Sequence, residues 1–255
     1  MRLTDEQWAV LVPLIPKPVK RTNRGRPRHP DRAVFDGILW ILRTGAQWAA
    51  LPRDKYPPKT TCLDRFKEWN ELGTFPRILA ALYEMSEDQH LLDLREAFID
   101  GTFSAAKKRG ADVGPTKKGK GTKIMIVVDA NGVPLAVQTA SASPAEVRLV
   151  HDTLDASFGL DFPQRLIGDK AYDSDGLDEE LATLGIEMIA PNRRNRKKTQ
   201  DGRPLRRYKR RWKVERTISW LQSFRRVRTR DEVKAENFLA MVQLACIVIP
   251  LRLVS

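Results

Sequence analysis

The apolar pattern of the chain changes period near residue 95, and this limits it to a helical region followed by a mixed α/β region. Before that point the spacing is helical. Thr4-Asp5-Glu6-Gln7 has the spacing of a capping box ahead of Trp8, Leu11 and Leu14. Pro30-Asp31 opens a second helix carrying Val34, Phe35, Ile38, Leu39 and Leu42, stopped near Gly45. Thr60-Thr61 opens a third with Leu63, Phe66 and Trp69 inward, and Phe75 to Met85 forms a fourth. Short helices with brief loops suit a helix-turn-helix-like bundle. After residue 95, strands are predicted over Ala97–Thr102, which enters a loop, and over Ile124–Val128. Asn131-Gly132 signals a hairpin returning through Val133–Thr139. Short strands follow at Arg165–Asp169 and Ile186–Ala190. Ser143-Pro144-Ala145-Glu146 reads as a capping box opening a helix, and Leu177–Leu184 as a helix closed by Gly185. Long helices are expected from Leu205 to about Val227 and from Asn237 to Leu253. The predicted organisation is an all-α domain over 1–92 and an α/β domain over 93–255, its sheet flanked by helices.

Charge is concentrated in one place. The chain carries a formal charge of +13, and residues 191–230 hold 17 lysines and arginines against two acids, Asp201 and Glu215. The rest of the chain is close to neutral. A solvated tail has no use for Trp212, Val214, Ile218, Trp220, Leu221 and Phe224, so these are expected to anchor a folded basic surface for a polyanion. Arg24-Gly25-Arg26-Pro27, followed by Arg28, has the look of a minor-groove arm, or of a flexible linker. Lys107, Lys108 and Arg109, with Lys117, Lys118, Lys120 and Lys123, read as a mobile basic loop able to contact phosphates. Two cysteines and three widely spaced histidines exclude a disulfide scaffold and a zinc site of the usual spacing. The apolar run Phe238–Leu251 is shorter than the ~20 residues of a membrane span. A soluble, cytoplasmic, nucleoid-associated protein is expected.

Three acids stand out. Asp100 and Asp169 end apolar strand-like runs, where Asp is disfavoured. Ligands of open α/β sheets collect at the carboxyl ends of strands. Taken alone, each is more often a turn or cap residue, and Asp129 more strongly so as a hairpin residue. Glu215 is the lone acid between Arg203 and Arg230, either a structural ion pair or a metal ligand. On a helix, Tyr208, Arg211, Glu215 and Gln222 share one face, and Val214, Ile218 and Leu221 occupy the adjoining one. Docking that apolar face on the sheet would aim Glu215 towards the strand ends. Three hard oxygen donors suit Mg²⁺, and two such ions about 4 Å apart serve phosphoryl transfer.

The ordered set Leu3-Thr4-Asp5-Glu6-Gln7-Trp8, Gly25-Arg26-Pro27-Arg28, Gly37-Ile38-Leu39-Trp40, Leu42-Arg43-Thr44-Gly45, Ile99-Asp100-Gly101-Thr102, Gly168-Asp169-Lys170-Ala171-Tyr172-Asp173 and Trp212-Lys213-Val214-Glu215-Arg216-Thr217 resembles bacterial DDE transposases of the insertion-sequence-five family. The resemblance covers nearly the whole chain. It implies an RNase H-like catalytic domain with Asp100, Asp169 and Glu215 as the metal-binding triad. It also implies an N-terminal domain that recognises terminal inverted repeats. Related families carry Tyr, two residues, Arg, three residues, Glu, six residues, Lys. Tyr208, Arg211 and Glu215 match, whereas Gln222 stands at the Lys position, with Arg225 or Arg226 one turn on as substitutes.

The implied activity is cleavage of element ends and strand transfer. Two Mg²⁺ ions are expected, with Mn²⁺ as a stand-in. The partners are double-stranded DNA, at both element ends and target, and at least a second copy of the chain. Lys170, Arg211 and Arg216 are expected to hold phosphates, with Tyr208 near the terminal nucleotide. The alternatives are a catalytically silent DNA-binding regulator and a nuclease that cuts without joining.

Overall fold

The computed structural model describes residues 2–17, 27–117, 119–194, 196 and 202–252. It opens with α1 (Asp5–Leu11), where the Thr4 hydroxyl accepts from the Gln7 amide and the Gln7 side chain accepts from the Thr4 amide. Next come α2 (Asp31–Thr44), α3 (Lys59–Glu71) and α4 (Thr74–Asp88). Gly45 ends α2 at φ +65°, a left-handed cap that favours glycine. Then follow β1 (Ala97–Ala106), β2 (Gly114–Thr116), β3 (Gly119–Asp129), β4 (Pro134–Ser141), α5 (Val150–Asp155), β5 (Arg165–Ile167), α6 (Asp175–Thr183) and β6 (Glu187–Ile189). The chain continues through α7 (Gly202–Tyr208), α8 (Trp212–Ser223), α9 (Arg225–Arg228), β7 (Thr229–Arg230) and α10 (Ala235–Val248).

The main sheet runs β4-β3-β1-β5-β6, with β3 antiparallel to both its neighbours and β1, β5 and β6 mutually parallel. That is an RNase H-like α/β arrangement with a helical region ahead of it. The Asn131-Gly132 hairpin forms as expected. Buried Asp129 accepts from the amides of Asp93, Asn131 and Val133, which gives the turn an internal acceptor in place of water. Helix α10 is apolar almost all round and correspondingly buried. It packs on α2, α3 and α4 on one side and on β4, α8 and α9 on the other, so the helices and the sheet share one continuous core.

Several elements depart from expectation. Strand β1 does not give way to a loop at Thr102 but continues to Ala106, because β3 pairs with it from Ala97 to Ala105. The basic loop is in part the β2–β3 hairpin, and Lys123 is buried within β3. Ser143 caps nothing. Ala145 precedes a 3-10 turn at Glu146–Leu149 that leads into α5, because the Glu146 side chain is drawn away into the sheet. The long helix expected over 205–227 is three pieces. A turn at 209–211 separates α7 from α8, and extended Phe224 (ψ 110°), its ring buried, separates α8 from α9. The last helix stops at Val248, with Pro250 opening a 3-10 turn. Among the described residues no helix is long and apolar enough to cross a membrane.

Candidate active site

Strands β1 and β5 pair in parallel at Ala97–Leu166 and Phe98–Ile167. Asp100 and Asp169 each follow two residues after the last registered pair, near enough for the charge of Asp169 to act on Asp100. Strand β5 has ended there. Asp169 caps a 3-10 turn, Lys170–Tyr172, its Oδ1 accepting from the Ala171 amide at 2.6 Å. Asp100 Oδ1 accepts from the Gly101 amide at 2.9 Å. Burial pushes the Asp100 carboxyl above the usual carboxylate range, Arg211 pulls it back, and the negative charge of Asp169 adds to the rise.

Glu215 is linked to Asp100 through Arg211. Helix α8 lays Val214, Thr217 and Leu221 on β1 and β3. It is gripped at the β3–β4 turn: Thr217 Oγ1 donates to the Gly132 carbonyl at 2.8 Å, and Lys213 Nζ donates to the Ala130 carbonyl. This seating puts Arg211, just before the helix, against Asp100. Its guanidinium donates to Asp100 Oδ2 at 2.6 Å, lies 3.8 Å from Glu215 Oε1, and stacks 5.6 Å from the Tyr208 ring centre. Asp100 and Glu215 therefore flank one guanidinium. The Glu215 side chain is 59% exposed on its open side. Among the described residues no three metal-ligating side chains converge on a single point.

Residues 3–79 match the model of a family described as a putative transposase of the IS4/5 family, and residues 92–249 match a transposase DDE domain. The chain belongs to the DDE transposase family. It is 35% identical over 188 residues to a putative transposase for insertion sequence element IS402 of Burkholderia cepacia, covering 70% of this chain and 85% of that one. It is 31% identical over 117 residues to an uncharacterized 16.2 kDa protein of the same element, covering 45% and 80%. Among solved structures, it is similar to the piggyBac transposase synaptic complex with hairpin DNA at 12% identity and TM-score 0.44, over 60% of this chain and 45% of that one. It is also similar to the Mos1 mariner paired-end complex with Mn at 11% identity and TM-score 0.28, over 83% and 81%.

A DDE transposase depends on a divalent metal, and the donors of this transposase suit a hard cation. Asp100 and Asp169 offer two carboxylates whose charges oppose one another, the situation that a cation relieves. Asp169 lies just past the carboxyl end of β5, where ligands of α/β sheets collect, and β1 runs on beyond Asp100.

The expected DNA contacts of the transposase divide sharply. Lys170 is exposed on the turn beside Asp169, and Arg225 is exposed after α8. Gln222 Nε2 donates to Thr102 Oγ1 at 3.2 Å, two residues past Asp100 along β1. Arg28 is engaged by Glu68 at 3.4 Å, and Arg24 and Arg26 lie outside the described residues. Arg226 is a correction. It is 2% exposed, pairs with Asp231 and Glu232, and donates to the Ala46 carbonyl, so its charge is consumed inside the fold. Arg216 is held between the Trp212 and Trp220 rings, at 4.9 and 5.1 Å, and donates to the Asn131 carbonyl. Those two tryptophans are not the buried anchors expected, being 51% and 42% exposed on the outer face of α8. Other members of the basic segment are paired with acids: Arg207 and Arg210 with Glu96, and Arg196 with Asp173.

Sequence reasoning passed over Glu146, which scans as a helix-capping residue. The signal was Gly101, a glycine inside a strand, which marks close approach by another group.

Proposed function

We propose that residues 1–92 and the exposed part of segment 191–230 bind the terminal inverted repeats of an insertion sequence, and that Asp100, Asp169 and Glu215 hold two Mg²⁺ ions at the cleavage site, with Mn²⁺ able to replace them. The observation that supports this reading is that Asp100 and Asp169 each stand two residues past the last β1–β5 pair, Phe98–Ile167, close enough for their charges to interact.

Bound Mg²⁺ supplies Lewis-acid stabilisation of charge on the attacking and leaving oxygens of an in-line displacement. The protein supplies position. Lys170 and Arg225 hold phosphates beside the scissile bond, and the planar guanidinium of Arg211 suits a phosphate as well as it suits Asp100. Tyr208, stacked on Arg211, is assigned to the terminal nucleotide. Water attacks phosphorus, the bond to the 3′ oxygen breaks, and a 3′-hydroxyl is freed. That hydroxyl then attacks a target phosphorus, forming one ester bond as another breaks. Joining two ends coordinately calls for at least a dimer.

The test uses Asp100→Ala, Asp169→Ala and Glu215→Gln with labelled element ends. Each should abolish cleavage while binding persists; cleavage retained by any of them removes that residue from the triad.

A further inference from the structure

Two glycines flank the paired aspartates, Gly101 after Asp100 and Gly168 before Asp169, and each is required by what packs on it. A Cβ on Gly101 would lie 2.7 Å from both Cδ and Oε1 of Glu146. A Cβ on Gly168 would lie 2.5 Å from Cδ2 of the Tyr172 ring. Neither glycine has positive φ, so close approach and not backbone conformation excludes a side chain there. The two groups that use this space meet: Tyr172 Oη donates to Glu146 Oε2 at 3.1 Å. Tyr172 is fully buried and the Glu146 side chain is 17% exposed. Lys123, buried in β3, stands 3.9 Å from Glu146 Oε1 while donating to the Pro144 carbonyl at 2.6 Å, which holds the turn before Glu146 in place.

This contact spans a gap in the sheet. The β1–β5 ladder stops at Phe98 and Ile167, short of both aspartates. Beyond that point Glu146 rests on β1 at Gly101, and Tyr172 belongs to the turn that Asp169 caps.

We propose that Glu146 is a positioning residue for transposition, clamping the Asp169 turn, through Tyr172, against β1 beside Asp100. The proposal rests on the reading of Asp100 and Asp169 as metal ligands. Carboxylates that share ions must be held to within about 0.5 Å, and the partners that orient such ligands typically carry 10–100-fold in metal affinity or activity.

The experiment uses the full chain and Mn²⁺ as probe. It measures Mn²⁺ binding without DNA by the loss of the free-ion paramagnetic resonance signal, the Mn²⁺ concentration for half-maximal end cleavage, and the melting temperature. Glu146→Ala and Tyr172→Phe should each raise both Mn²⁺ midpoints about tenfold. Glu146→Gln keeps an oxygen acceptor for Tyr172 and should stay near wild type. The double variant Glu146→Ala/Tyr172→Phe should be no worse than Glu146→Ala, as for two ends of one contact. A folded Glu146→Ala with wild-type midpoints, or a lowered melting temperature alone, overturns the proposal. A Glu146→Gln as weak as Glu146→Ala also overturns it, because charge and not position would then matter. If Glu146→Ala does not fold, Tyr172→Phe decides by the same criterion. Asp100→Ala separates the two levels: wild-type Mn²⁺ binding in that variant defeats the metal assignment itself, whereas lost binding there with unshifted Glu146→Ala and Tyr172→Phe defeats only the clamp.

Discussion

The Arg211 guanidinium donates to Asp100 Oδ2 at 2.6 Å, so a protein cation stands against the first carboxylate of the proposed triad. Both side chains are largely buried, at 14% and 15% exposure. The same guanidinium faces Glu215. Removing this cation or supplying another should therefore change the stability of the site in predictable ways.

Arg211→Ala leaves Asp100 buried without its partner. We expect a loss of about 2–4 kcal/mol, towards the lower end of the range for a broken buried pair. The loss should shrink in saturating Mg²⁺, which supplies the missing charge. Thermal melts in EDTA and in Mg²⁺ check this; a variant as stable as wild type in EDTA would show that the pair contributes nothing.

Divalent ions should raise the melting temperature of the wild-type chain, because a ligand that binds only the folded state adds about 2.7 kcal/mol at one hundred times its dissociation constant. Asp100→Ala and Asp169→Ala should lose the increment. Equal Mg²⁺ stabilisation in wild type and both variants would place the ion elsewhere.

Arg225 and Arg226 are neighbours with opposite fates. Arg226→Ala leaves the buried Glu232 side chain without its arginine and Asp231 with only Lys108, and should cost about 3–5 kcal/mol in urea unfolding. Arg225→Ala, altering an exposed side chain, should stay within about 0.5 kcal/mol of wild type. Similar losses for the two would contradict the burial difference.

Arg194, Arg206 and Lys209 are exposed members of the basic segment. Replacing all three with Ala should weaken binding to element ends and lower the slope of log K against log salt by about 0.9 for each phosphate no longer neutralised. An unchanged slope would remove them from the DNA track.

Much of the candidate site was legible in the linear chain because its residues violate local rules. Aspartate is out of place in apolar strands, which drew attention to Asp100 and Asp169, although a turn or cap explains either one alone. Glu215 drew attention as the lone acid between Arg203 and Arg230, and only the family resemblance joined the three. Glu146 was hidden for the opposite reason: Ser143-Pro144-Ala145-Glu146 obeys the capping pattern so well that a second use for the carboxylate left no mark. The helix expected over 205–227 failed at Phe224, whose buried ring outweighs the helical preference of its neighbours.

Periodicity, turn chemistry and the clustering of charge were enough to define a helical region, an α/β region and a cationic stretch, since each depends on residues near one another along the chain. Which arginines stay free was decided only on folding. Arg226 and Arg225 are alike in composition, and they differ because Asp231 and Glu232 curl back on one of them. The proximity of Asp100 and Asp169, and the Glu146–Tyr172 contact beside them, are likewise products of strand pairing and of packing between segments distant in sequence. Local patterns select elements, but only the packed sheet sets the distances between charges.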